Sequence, residues 1–172
     1  MQGLNLSVVD LLGRPGEYRD FTVTAVLTDV RNALARLENR PIQGDLRAES
    51  VVEGILVTGS VQAEATFDCA RCLSSFELPM SLELCELFLA PGHEAPADED
   101  SYEVAGKEVH LEPMLRDAVV LALPLKPVCR DDCAGLCAGC GRNLNEDACI
   151  CSNDETDPRW AELAVLRERL QG

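Results

Sequence analysis

The 172-residue chain carries 30 acidic against 15 basic residues, a formal net charge of −15, with 47% hydrophobic and 26% charged residues. That length suits one domain, or one domain with a small metal-stapled appendage, and the balance is that of a soluble globular protein. A charge this negative repels phosphate at long range and disfavours direct, extensive RNA binding, and no apolar run nears the ~20 residues that span a bilayer.

The first residues, MQGLNLSVVDLLGRPGEY, lack the basic start and long apolar stretch of a secretory signal, so the expected compartment is the reducing cytoplasm. Leu4, Leu6 and Val8 alternate with polar residues as in a short half-buried strand, and Arg14-Pro-Gly16 marks a turn. FTVTAVLT, rich in β-branched residues, reads as a second strand with Phe21, Val23 and Ala25 on one face. The period then changes. Leu27, Val30, Leu34 and Leu37 recur at threes and fours, with Thr28 or Asp29 placed to cap, which predicts a short amphipathic helix over residues 29–38. Its Arg31, Arg36 and Arg40 read as a solvated face rather than an RNA contact.

Residues 46–53 look like a strand ending in a Glu53-Gly54 hairpin signal. In the next run Ile55, Val57, Gly59, Val61, Ala63, Ala65 and Phe67 share one face, a strict period of two. It delivers the chain to Cys69-Ala-Arg-Cys72, after which Phe76, Leu78, Met80, Leu82 and Leu84 alternate again. A C-x2-C pair at a hairpin tip places two sulfurs beside one ion; a redox dithiol would open a helix, which Pro79 and the alternation oppose. Cys85 has the opposite parity and no partner at ligand spacing, so it is structural or idle.

Residues 90–103, APGHEAPADEDSYE, form an acidic loop, and neither His93 nor His110 lies at ligand spacing from a cysteine. Pro113 suits a first helical turn, with Leu111, Leu115, Ala118, Val119 and Ala122 on a buried face and Glu112 and Arg116 paired at i,i+4. Pro124 stops this helix. Near the carboxy terminus Asp157 and Pro158 start another, whose Trp160, Leu163, Leu166 and Leu170 form an apolar stripe suited to core packing.

Between the two lies CRDDCAGLCAGCGRNLNEDACIC, which packs six of the nine cysteines into residues 129–151. In a reducing compartment an odd number of cysteines in short paired spacings argues for thiolate ligation over disulfides, with zinc the default ion and an iron–sulfur cluster the alternative. Cys137-Ala-Gly-Cys140-Gly is a zinc-knuckle signature, with Gly139 and Gly141 permitting the turn that aims backbone N–H groups at the sulfurs. Eight cysteines suffice for two four-thiolate sites. The preferred division joins Cys137 and Cys140 to Cys149 and Cys151, a cheap loop closure, and Cys129 and Cys133 to Cys69 and Cys72, stapling the tail to the sheet. The rival is one site of Cys129, Cys133, Cys137 and Cys140, so the count is one or two structural zinc ions.

The order of elements predicts an α+β fold: an antiparallel, β-rich part over residues 1–128, possibly barrel-like, and a helical, cysteine-rich, zinc-binding part over residues 129–172 packed on it as one unit. No catalytic residue is expected, because four-cysteine sites are closed, neither histidine sits in a constellation, and no phosphate-binding glycine loop appears.

CARCL between two strands, LEPMLRDAVVLALPLKPVC, the cysteine run and the DPRWAELAVL ending together resemble the YceD family of bacterial proteins associated with accumulation of large-subunit ribosomal RNA, over residues 49–167. The resemblance implies a cytoplasmic, non-catalytic ribosome-biogenesis factor, and it carries over no catalytic residue. With the net charge, it leads to expecting a ribosomal or assembly protein as partner, ribosomal RNA at most through a narrow contact, and neither membrane nor small-molecule substrate. A zinc- or thiol-responsive adaptor is the alternative reading.

Overall fold

The computed structural model describes residues 4–37, 39–93 and 101–151, together with Leu163. Its backbone is organised by the strand pair that the alternating runs predict: β5 (Gly54–Asp68) and β6 (Ser75–Leu89) form an antiparallel hairpin paired from Gly54↔Leu89 to Asp68↔Ser75. At ~3.4 Å per residue this hairpin reaches roughly 50 Å, far longer than an average strand. Its alternation is read out as burial: Ile55, Val57, Val61, Ala63, Ala65 and Phe67 are buried on one face with Leu82, Leu84 and Phe88 opposite. Cys85 lies on the other face and is exposed.

β4 (Pro41–Ser50) pairs with the first half of β5, starting and stopping earlier than the sequence suggests, and β2 (Tyr18–Val26) pairs with β4. The β4–β5 turn is closed by Val51 N–H to the Gly54 carbonyl at 2.9 Å, as the Glu53-Gly54 signal implies. β7 (Tyr102–Glu103) adds to β6 in parallel, giving the order β2-β4-β5-β6-β7. Among the described residues the sheet is open, with β2 and β7 at its two edges, so the barrel left possible by the sequence is not formed. β1 (Asn5–Ser7) and β8 (Glu108–His110) make a separate two-stranded sheet.

β8 runs directly into α1 (Leu111–Ala122), whose Leu111, Met114, Leu115 and Val119 are buried in the same core as the sheet. Ala118 is half-buried, whereas Ala122 faces solvent and Leu123 takes its place. Arg116 bonds Glu112 at 2.8 Å and also caps the Thr28 carbonyl at 2.9 Å, tying the helix to the irregular segment after β2.

That segment is the main correction. No helix forms over the described residues 29–37 of the expected 29–38 span: Asp29 is left-handed at φ 57°, and the chain doubles back so that β3 (Ala35–Arg36) pairs with Phe67 and Thr66 of β5. Leu27, Val30 and Leu37 of the expected stripe are nonetheless buried and Leu34 is half-buried. Their spacing satisfies a compact loop as well as a helix, because Asn32 accepts the Leu34 N–H at 2.9 Å and Leu37 N–H reaches the Val30 carbonyl at 2.9 Å. β3 thereby braces the far end of the long hairpin, with Asp68 N–H bonded to the Leu34 carbonyl at 2.8 Å and Arg36 paired to the Asp68 carboxylate at 3.1 Å.

The α+β class therefore holds for the described residues. Residues 94–100 of the expected acidic loop lie outside them, as does the expected C-terminal helix except Leu163, which is helical and exposed.

Candidate metal centres

The hairpin tip is a six-residue turn, Cys69 to Ser74, held by Cys69 N–H to the Ser74 carbonyl at 3.0 Å and Leu73 N–H to the Cys69 carbonyl at 2.9 Å. Within it Arg71 N–H points at Cys69 Sγ, 3.4 Å away. The second C-x2-C turn repeats this geometry: Gly141 N–H reaches the Cys137 carbonyl at 2.8 Å and Gly139 N–H points at Cys137 Sγ at 3.4 Å. The residue after each second cysteine is left-handed, Leu73 at φ 61° and Gly141 at φ 72°. The two turns are thus copies of one knuckle. The left-handed glycine is Gly141, whereas a Cβ at Gly139 would only reach ordinary contact with Cys151 Cβ, at 3.4 Å.

Each knuckle meets a second pair of sulfurs. Cys69, Cys72, Cys129 and Cys133 lie within 4.8 Å of one another, as do Cys137, Cys140, Cys149 and Cys151. In the inner cluster Cys69 is 3.8 Å from Cys133 and Cys72 is 3.7 Å from Cys129; in the outer, Cys140 and Cys137 stand 3.5 and 3.3 Å from Cys149. Four sulfurs at ~2.3 Å around a tetrahedral zinc are about 3.8 Å apart, so the inner set has that spacing and the outer set is slightly tighter. Both donor sets could hold a metal ion, and all nine cysteines are free thiols. The alternative of one site drawn from Cys129, Cys133, Cys137 and Cys140 does not match this grouping.

Burial separates the two. Cys69, Cys72 and Cys133 are buried, with Phe76, Val128 and Leu136 packed against them, and Phe76 also touches the main core beside Phe67 at a centroid distance of 5.7 Å. Cys129 is the one exposed sulfur of the inner set, whereas in the outer set Cys140 and Cys151 are exposed and Cys137 and Cys149 half-buried. The tail is fastened at the inner set: Ala70 N–H bonds the Pro127 carbonyl at 2.7 Å, and the Arg71 guanidinium donates to the carbonyls of Asp131 at 2.9 Å and Cys133 at 3.1 Å.

The thiols divide electrostatically. Burial raises Cys69, but backbone N–H groups of Cys129, Cys72 and Arg71 outweigh it and bring its pKa to about 6. Backbone N–H groups of Cys140 and Gly139, with the Cys149 thiol, bring Cys137 to about 6 as well. Cys129 is pushed up to about 12 by burial and by the neighbouring thiols, and Cys151 to about 12 by Cys149 and Cys140. The first cysteine of each knuckle is therefore biased toward the thiolate, Cys72 is lowered as well by hydrogen bonds from Ser74, and the crowded Cys129, Cys149 and Cys151 are biased toward the thiol until a cation arrives.

Sequence reasoning singled out the sulfurs and missed the polar side chains beside them. Asn145 donates from Nδ2 to Cys133 Sγ at 3.3 Å and accepts at Oδ1 from Ala134 N–H at 2.8 Å and from Arg130 at 2.7 Å. The signal available was the Asn143-Leu-Asn145 repeat inside an otherwise short ligand loop. His110 bonds Asn5 at 2.8 Å at the head of α1, far in sequence from either cluster.

A family model described as large ribosomal RNA subunit accumulation protein YceD matches residues 57–167. An uncharacterised protein of Mycobacterium tuberculosis is 43% identical over 125 residues, covering 71% of this chain and 60% of its own length. An uncharacterised protein of Mycobacterium leprae is 40% identical over 129 residues, covering 73% and 59%. The chain thus spans about 60% of the length of these curated relatives. A chloroplastic homologue in Zea mays, named as a large ribosomal RNA subunit accumulation protein, is 39% identical over 51 residues, 29% of this chain and 17% of that protein. No solved structure matches. The matched span starts within β5 and runs through both knuckles and every clustered sulfur, and on it the chain belongs to the YceD family.

Proposed function

We propose that this chain is a non-catalytic factor supporting accumulation of large-subunit ribosomal RNA, that it works through contacts with ribosomal or assembly proteins, and that two structural zinc ions clasp its tail to the sheet. The family match over residues 57–167 carries the ribosomal part of this reading. The net charge of −15 favours a basic protein partner over extended RNA contact. Two zinc ions fit the sulfur spacing and the paired knuckles. With four thiolates each, such sites are closed and leave no position for a substrate or an activated water. Among the described residues no helix is long and apolar enough to cross a membrane; the cytoplasm is the proposed compartment.

The test is affinity capture at native expression, with mass spectrometry of protein and sequencing of RNA, for the wild type and the Cys69→Ser and Cys137→Ser variants. Ribosomal proteins or large-subunit assembly intermediates should be recovered with the wild type and depleted with the variants. Recovery of neither would refute the assignment. A zinc- or thiol-responsive adaptor is a second reading, favoured by the exposure of Cys140 and Cys151; partner binding that survives removal of zinc would count against it.

A further inference from the structure

One side chain belongs to the outer cluster by chain and to the inner cluster by bonding. Asn145 lies in the loop that joins Cys140 to Cys149, yet three of its amide contacts are made to the chain around Cys133. Oδ1 takes two donors that cannot accept, the Ala134 N–H and the Arg130 guanidinium, so its partners fix which way the amide points. That leaves Nδ2 to donate to Cys133 Sγ at 3.3 Å and to Asn143 Oδ1 at 2.7 Å, which uses the donors and acceptors of the amide in full. The loop reaches this position by running beside the strand-like segment between the clusters. Cys137 N–H bonds the Arg142 carbonyl at 2.8 Å and Leu144 N–H bonds the Gly135 carbonyl at 2.9 Å.

From this geometry we infer that Asn145 is a positioning residue through which the outer metal site strengthens the inner one. The inference rests on the two-zinc reading above. Closing the outer site on its ion fixes both ends of the 140–149 loop and holds the Asn145 amide against Cys133. There its N–H stabilises the ligating thiolate, as the Arg71 backbone N–H does for Cys69. Loss of the outer ion frees the loop, withdraws the N–H donor and weakens the inner site. By linkage the coupling is reciprocal, so an ion in the inner site also tightens the outer. Exposure sets the order: Cys140 and Cys151 of the outer set are open to competing chelators, whereas the inner set exposes Cys129 alone and buries Cys69, Cys72 and Cys133. Release of the tail is therefore sequential, outer ion first.

The experiment measures zinc affinity of the inner site in the full chain by competition with a chromophoric chelator. The variants are Asn145→Asp, Asn145→Ala, the Cys149→Ser/Cys151→Ser pair, and that pair combined with each Asn145 change. Asn145→Asp keeps the acceptor for Ala134 and Arg130, so the loop stays anchored, but it replaces the N–H beside Cys133 with a carboxylate oxygen. Inner-site affinity should fall about 10-fold in Asn145→Asp, Asn145→Ala and the cysteine pair, in line with loss of an outer-shell partner. The combinations should be no weaker than the pair alone. An inner affinity in Asn145→Asp equal to wild type would reduce Asn145 to a loop anchor and overturn the inference, as would additive losses. A wild-type protein that binds fewer than two zinc ions would overturn the two-zinc reading itself, a separate outcome read from the metal count.

Discussion

Two glycines in the cysteine-rich tail share a backbone conformation and differ in what surrounds them, which allows strain and contact to be measured apart. Gly135 and Gly141 are left-handed at φ 75° and φ 72°. A Cβ on Gly141 would meet nothing within 4 Å, whereas a Cβ on Gly135 would lie 3.2 Å from the Arg71 carbonyl oxygen. That oxygen cannot easily yield, because it accepts the Leu136 N–H at 3.1 Å and the Arg71 guanidinium is held by two carbonyls of the same tail. Gly141→Ala should therefore cost only the left-handed penalty of ~1–2 kcal/mol, offset by about 0.4–1 kcal/mol of reduced unfolded-state entropy. Gly135→Ala should cost that difference plus roughly 1 kcal/mol for displacing the Arg71 carbonyl. For a domain of this size each kcal/mol is worth ~2–4 °C, so the melting temperature of the zinc-loaded protein should drop about twice as far for Gly135→Ala. Equal shifts would refute the packing of the tail against the hairpin tip. A gain of stability in Gly141→Ala would refute the left-handed knuckle.

Other consequences follow from the same arrangement. Mass spectrometry under native conditions should find two zinc ions in the wild type and in Cys85→Ser but one in Cys149→Ser, and a metal count altered by Cys85→Ser would contradict its placement on the solvent face. Cys69 and Cys137 sit at about 6 rather than 9.0, so the stability they add is complete above pH 9 and is lost as pH falls through 6. Proton competition for ligated thiolates acts in the same direction. Zinc should become more available to a chelator, and melting lower, between pH 7 and pH 5; a flat response there would exclude these thiolates as the source. The raised values at Cys129 and Cys151 have the opposite sign but act between 9 and 12, outside that window. Phe67→Ala removes a side chain that is 1% exposed and packed on Phe76 between the core and the inner cluster, and urea unfolding should register a loss of about 3–5 kcal/mol. A loss under ~1.5 kcal/mol would mean that this end of the hairpin is not tightly packed.

Much of this molecule is legible in its sequence, because two of its signals are strictly local. The period of two from Ile55 to Phe67 and from Phe76 to Leu84 determines which side of a strand each residue occupies, and the C-x2-C spacing determines where two sulfurs can meet one ion. Loop closure argued for the grouping of the eight sulfurs, which the structure gathers into the same two sets. Only the tertiary structure decided the segment after β2, where apolar spacing suits a helix but the unpaired edge of β5 beyond Gln62 offers β3 backbone partners that a helix could not use. It also decided that, among the described residues, the sheet is open, with β2 and β7 left as its edges. And it alone could bring Asn145 to Cys133, since a contact between two loops depends on the path of both chains and leaves no periodic trace in either.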